Sequence, residues 1–189
     1  MNEALAGVFD WVCGQSWDHT WAPGGEGLAC CQRCTGLYVG AAIGLLARTL
    51  TRHRASGRWL AIHGLFLLLM VPLGLHWVPQ GPVLRTASGF LFGTGVAAYL
   101  SVIPGTQWRS WGGPIRRASL VYGAGLAAGG ALTFWLATSD SIWGWRALSI
   151  LVSLGLAVVA GLATMNATWA VAEFWRRLHR PSVQSRAIG

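Results

Sequence analysis

All four cysteines fall within the first 34 residues, at Cys13, Cys30, Cys31 and Cys34. Cys31 and Cys34 form a C-x-x-C with Arg33 between them. Thiolates at that spacing serve either as a redox-active pair or as soft metal ligands. The pattern lies where a helix should begin, and free N–H groups and the helix dipole there favour a thiolate. Cys13, Cys31 and Cys34 with one histidine would make a Cys₃His set, the closed tetrahedral type that suits zinc, with iron the other metal to test for. His19 is the nearest histidine in sequence and His76 the nearest by expected depth. In an oxidising compartment the same thiols can pair instead. Joining the neighbours Cys30 and Cys31 is strained. That leaves Cys13 with Cys31 and Cys30 with Cys34, or Cys13 with Cys30 and Cys31 with Cys34, as a structural staple.

Arg33, Arg85 and Arg146 are the cations expected on the same side as the cysteines. If they converge, they make a site for an anionic headgroup, a phosphate or a carboxylate through bidentate hydrogen bonds. Otherwise they pair with Asp18 and Asp140 or snorkel to the headgroups. Other chemistry is thin. There is no Walker loop, no Ser-His-Asp candidate and no pair of carboxylates. His63 is expected to bond a neighbour or water near a membrane boundary. A haem would need histidines at matching depth on facing helices, whereas His63 and His76 lie at opposite ends of one. Glu173 among Arg176, Arg177 and Arg180 reads as an i,i+3 or i,i+4 ion pair.

The elements that must position these residues are apolar. Of 189 residues 53% are hydrophobic and 11% charged, against about 25% charged in an average soluble domain. The mean hydropathy is +0.48. A soluble globular chain and a disordered one are both excluded. A spanning helix needs about 20 apolar residues, and five runs qualify, at about 31–50, 59–77, 83–103, 118–138 and 147–169, the last continuing to Trp175. The fold class is therefore all-α, a polytopic integral membrane bundle of five transmembrane helices. Residues 1–30 form an external cysteine-bearing segment, 31–175 the bundle and 176–189 a basic cytoplasmic tail.

The net charge of +8 comes from 14 basic residues against 6 acidic ones, and every basic residue is arginine. Eleven arginines fall in the two inner loops and the tail, and three on the opposite side. Basic residues in short loops are retained in the cytoplasm, so the chain should run N-out to C-in, multi-pass in the inner membrane. The charge is spread over loops rather than over one folded surface, which points to the lipid bilayer and not to nucleic acid. Residues 1–28 hold neither a basic n-region nor an adequate apolar h-region, so the first helix is expected to direct its own insertion. Of the tryptophans, Trp59, Trp108, Trp111 and Trp175 are expected at the inner boundary and Trp77, Trp143 and Trp145 at the outer one. Gly36, Gly40 and Gly44 form a small-residue ridge, echoed by Gly89 with Gly93 and by Gly125 with Gly129. Such ridges admit close helix approach, within one bundle before between copies or with other membrane subunits.

The run Cys31-Gln32-Arg33-Cys34-Thr35-Gly36-Leu37-Tyr38-Val39-Gly40 resembles the signature Cys-x-Arg-Cys-x-Gly-x-Tyr-x-Gly of an uncharacterised prokaryotic membrane-protein family, domain of unknown function 2085. Cys13-Gly14-Gln15 sits where that family commonly reads Cys-His-Gln, and Leu73-Gly74 where it often has Asp-Gly. Arg85-Thr86-Ala87-Ser88-Gly89 with Gly93 is similar to its Arg-x-x-Thr-Gly stretch, so the likeness covers roughly residues 10 to 95. It singles out Cys13, Cys31, Arg33, Cys34, Tyr38 and Arg85 as retained positions. Gly14 and Leu73 depart from it, which weakens any metal or acid–base role that needs a histidine or aspartate there.

The leading function is non-enzymatic: a small membrane component whose Cys/Arg cluster is structural or binds a metal or an anionic group. One alternative is a quinone-linked thiol-disulfide oxidoreductase using Cys31 and Cys34. Another is an accessory subunit of a larger membrane complex.

Overall fold

A computed structural model describes residues 7, 9, 13, 17–51, 55–75, 77–102 and 115–179. Two short 3-10 turns, Trp17–His19 and Pro23–Gly25, precede five α-helices. These are α1 (Gln32–Thr51), α2 (Gly57–Gly74), α3 (Pro82–Leu100), α4 (Ile115–Ala137) and α5 (Ile142–Leu178). Each is long and apolar enough to cross a membrane, α4 over Ala118–Ala137. The helix starts are set by local chemistry. The Ser56 hydroxyl accepts from Trp59 N–H at 3.2 Å, that of Ser141 accepts from Trp143 N–H at 3.2 Å, and Pro82 opens α3. With 37 residues α5 extends about 55 Å at 1.5 Å per residue, well past the ~30 Å hydrocarbon core. Its overhang is polar: Glu173 pairs with Arg176 and Arg177, each at 3.0 Å.

Helix α1 is the hub, packing on α3, α4 and α5, while α2 leans on α3. The glycine ridges make this possible. A Cβ at Gly36 would fall on the carbonyl oxygen of Thr86, and one at Gly40 on that of Phe90. In return, a Cβ at Gly89 or Gly93 would meet the carbonyl oxygen of Arg33 or Leu37. The backbones of α1 and α3 are thus in direct contact, where van der Waals packing rather than hydrophobic transfer drives association in lipid. Gly155 brings α5 equally close to Tyr38, and Gly129 seats the Ile43 side chain against α4. The ridges are spent inside the chain. Buried hydroxyls return to their own helices: Thr86 donates to Pro82 O at 3.0 Å and Thr133 to Gly129 O at 2.7 Å. Leu65, Leu68 and Val71 on α2 and Leu120, Val121 and Trp135 on α4 are exposed, as a lipid-facing surface requires.

At the end of the bundle away from the cysteines, two sequence expectations are corrected. Arg48, counted with the inner-loop arginines, is a last-turn residue of α1 and only 3% exposed. Its guanidinium donates to Ala98 O at 3.3 Å and to the Ser101 hydroxyl, and stacks 4.9 Å above the Trp59 ring. Trp59 is therefore not an interfacial anchor. It is 6% exposed, sandwiched between Arg48 and the His63 ring, because the face of α2 that carries both aromatic rings turns inward. His63 is bonded as expected, Nδ1 to Trp59 O and Nε2 to the Tyr122 hydroxyl, both at 2.8 Å. Trp77, Trp143 and Trp175 are exposed, as anchors should be. Trp108 and Trp111 lie outside the described residues.

Candidate functional site

The polypeptide before α1 folds back on the bundle as a small hairpin. Leu28 N–H donates to Trp21 O at 2.9 Å, and Thr20 and Cys31 form an antiparallel bridge. At its tip Gly24 adopts φ 61, and its N–H donates to Ser139 O at 3.3 Å. A side chain there is doubly disfavoured, since a Cβ would also lie 2.7 Å from the Ile142 nitrogen. Two indoles bolt the hairpin to the helices: Trp21 Nε1 donates to the Thr86 hydroxyl at 2.9 Å and Trp145 Nε1 to Gly27 O at 3.1 Å. Leu28, Ala29 and Cys30 are buried beneath it. Phe9 is buried too, packed edge-on to Tyr38 with ring centroids 5.7 Å apart.

This anchoring places the cysteines. Thr35 N–H donates to Cys31 O at 2.8 Å, the first helical bond of α1, so Cys31 is its N-cap and Cys34 stands three residues on. In that geometry a cap side chain faces the amides of the first turn. Hydrogen bonds from the Cys13 and Cys34 thiols, aided by the Cys34 and Arg33 amides, hold the Cys31 thiol well below its ordinary value. The Cys31 N–H donates in turn to Cys13 Sγ at 3.2 Å. Sharing its proton with Cys31 holds the Cys13 thiol above its usual range. The sulfurs of Cys13, Cys31 and Cys34 all lie within 4.8 Å of one another.

Cys30 is excluded from this group. It points into the core at 0% exposure, its sulfur 3.4 Å from the Thr35 hydroxyl, and burial pushes its thiol up to about 12. The four cysteines are free thiols, divided three and one rather than two and two. His19 is half-buried in the first 3-10 turn and is not part of the cluster, and His76 lies outside the described residues. The arginines have separate tasks. Arg33 NH2 donates to Leu73 O at 3.0 Å and to Gln80 Oε1 at 2.7 Å, fastening the first turn of α1 to the C-terminal end of α2. Arg146 is exposed and stacks 4.9 Å above Trp143, and Arg85 is half-buried in the first turn of α3. Trp145, expected as an outer-boundary anchor, is half-buried and spends its indole N–H on Gly27 O. The residues that sequence reasoning passed over are Phe9, Trp21 and Leu28. Their only signal was an apolar pair, Leu28-Ala29, in an otherwise polar stretch.

The cysteine segment and the first three helices make one continuous unit, and residues 13–99 match the model of the family described as Predicted membrane protein (DUF2085). Over that stretch the chain is similar to the DUF2085 family. No curated protein and no solved structure matches the chain. The DUF2085 match begins at Cys13 and so takes in all three clustered sulfurs, while α4 and α5 lie beyond it. The retained positions Cys13, Cys31, Arg33, Cys34 and Tyr38 share one end of the bundle. At Leu73, where the resemblance leads to aspartate, Arg33 instead takes the main-chain carbonyl and the side chain of Gln80.

Proposed function

We propose that the cysteine end of this protein is a thiolate metal centre with Cys13, Cys31 and Cys34 as ligands and zinc or iron as the metal. The observation that carries this reading is the grouping of three sulfurs within 4.8 Å. With metal–sulfur bonds of about 2.3 Å, sulfurs in a tetrahedral site stand roughly 3.8 Å apart. Small side-chain shifts therefore close the cluster on an ion. Thiolate is the ligand form, and the amides facing Cys31 favour it. His19, His76 or water completes the coordination. The role is non-enzymatic: the ion ties the segment bearing Cys13 to the first turn of α1 and closes that end of the bundle.

The arginine distribution supports an N-out, C-in orientation in the inner membrane, which puts the centre on the outer face. The test is metal analysis of purified protein. About one zinc or iron per chain, lost in Cys34→Ser, supports the centre on the stoichiometry such sites show. Metal-free protein overturns it.

A second reading is favoured by the pairing of Cys31 and Cys34 at a helix N-terminus, the setting of a reactive dithiol. In this reading the pair exchanges electrons as a thiol-disulfide oxidoreductase. Exchange with a dithiol, coupled to quinone reduction and abolished in Cys31→Ala, would establish it. Absence of exchange removes it.

A further inference from the structure

Helices α2 and α4 leave a groove between them. α2 rests on α3 and α4 on α1, so the two diverge across the lipid-facing side of the bundle. Two cavities, each of about 410 Å³, occupy this space and share Phe66, Gly123 and Leu126, which makes them one channel. The part lined by Phe90, Leu91 and Phe134 is apolar throughout. The other part has Ser56 and Arg58 at its rim, and Trp59, His63 and Tyr122 along its wall. No acidic residue lines either part among the described residues.

The protein does not fill this space itself. Gly123 lines both cavities, and a Cβ added there meets nothing within 4 Å. A glycine inside a helix costs stability relative to alanine, and here it holds the channel open. From Ser119 to Phe134 the channel follows α4 for about 22 Å at 1.5 Å per residue, more than the ~15 Å depth of one leaflet. It has the dimensions of an acyl chain. The wall opposite the rim is sealed, since both His63 nitrogens are engaged, with Trp59 O and with the Tyr122 hydroxyl. Among the described residues the charge at the mouth belongs to Arg58, an exposed cation that follows the α2 cap Ser56. A basic mouth on an apolar slot at the membrane surface selects an amphiphile with an anionic head.

We propose that the α2–α4 groove is a binding site for an acidic phospholipid, with one acyl chain along Phe66, Leu126 and Phe134 and the phosphate at Arg58. The site is independent of the cysteine centre. Arg48, level with the groove's polar end, is fourteen residues along α1 from Cys34, about 21 Å at the helical rise. A head group held at Arg58, at the groove's polar end, is therefore far from the thiols.

The test is to purify the full chain in mild detergent, wash it with further detergent and analyse the retained lipids by mass spectrometry. The expected result is about one acidic phospholipid per chain, as a defined basic pocket would hold. Gly123→Leu, whose Cβ meets nothing within 4 Å and whose side chain occupies the channel, should lower retention about tenfold or more. Arg58→Gln should erase the preference for acidic over zwitterionic lipid. Should Gly123→Leu fail to give a helical, monodisperse protein, the Arg58→Gln comparison decides alone. Lipids retained in the proportions of the membrane overturn the site, as does a quinone or other neutral amphiphile in their place. Undiminished retention in folded Gly123→Leu does the same.

Discussion

The main-chain N–H of Cys31 donates to Cys13 Sγ at 3.2 Å across 18 positions of sequence. That bond joins the N-cap of α1 to the segment folded over the bundle, and it makes the first turn of a transmembrane helix one wall of the cysteine cluster. The next residue of the same turn, Thr35, belongs to Cys30, its hydroxyl 3.4 Å from that sulfur. Two adjacent cysteines thus live in different environments: Cys31 with two other sulfurs, Cys30 in the apolar core.

The alkylation pattern follows from this division. In native protein stripped with a chelator, a small thiol reagent should modify Cys13, Cys31 and Cys34 and spare Cys30, which is 0% exposed. With zinc present all four should be protected, and in denaturant all four should react. Peptide mass spectrometry reads the sites directly. Cys30 modified as fast as Cys31 would contradict the burial, and identical patterns with and without zinc would contradict the metal centre.

Arg33 offers a test of how the site is held. Its guanidinium bonds both Leu73 O and Gln80 Oε1, joining α1 to α2 beneath the cysteines. Hydrogen bonds to a charged group contribute about 1.5–3 kcal/mol, so Arg33→Ala should lower stability by that order. Gln80→Leu should cost less, since Leu73 O keeps the guanidinium. Detergent-solubilised unfolding curves of both single variants and the double one give the coupling. Strict additivity would mean that the two side chains do not act together.

The five helices were legible because apolar runs of spanning length have few alternatives, and the cysteines were legible as a set because their type announces chemistry. Their division was not. Cys30 and Cys31 are neighbours, and only the hairpin register and the N-cap geometry send their sulfurs apart. Trp59 shows the same limit from the other side. Its depth is readable from sequence, but which face of α2 turns inward depends on where Arg48 of α1 and Tyr122 of α4 end up. The α2–α4 groove opens where the two helices part beyond the His63–Tyr122 bond that joins them, and no residue pattern encodes that. Arg33 was read correctly as a cation at the cysteine end, yet its partner is a main-chain carbonyl, invisible to any search for acidic side chains.

Topology is checked by reporters. The proposed N-out, C-in orientation puts the C-terminus inside, so a fluorescent protein fused after Gly189 should mature in the cytoplasm, while an exported phosphatase fused there should stay inactive. Phosphatase activity at that position would reverse the orientation and move the cysteine centre to the inner face.

The last prediction concerns the hub. Gly155 and Gly161 stand six residues apart on α5, both in its apolar middle. A Cβ at Gly155 would fall on the carbonyl oxygen of Tyr38, whereas one at Gly161 meets nothing within 4 Å. Gly155→Ala must therefore push α5 away from α1, at the 1–3 kcal/mol that overpacking costs, about the range seen in tight cores. Gly161→Ala meets no such barrier and should gain up to about 1 kcal/mol from helix propensity. The same substitution thus changes sign over less than two turns. The displacement at Gly155 also reaches the site, because Tyr38 lies one turn beyond Cys34 and packs against Phe9. Metal content should fall with stability in Gly155→Ala and stay at the wild-type level in Gly161→Ala. Equal stability of the two variants would show that α5 does not press on α1 at Tyr38.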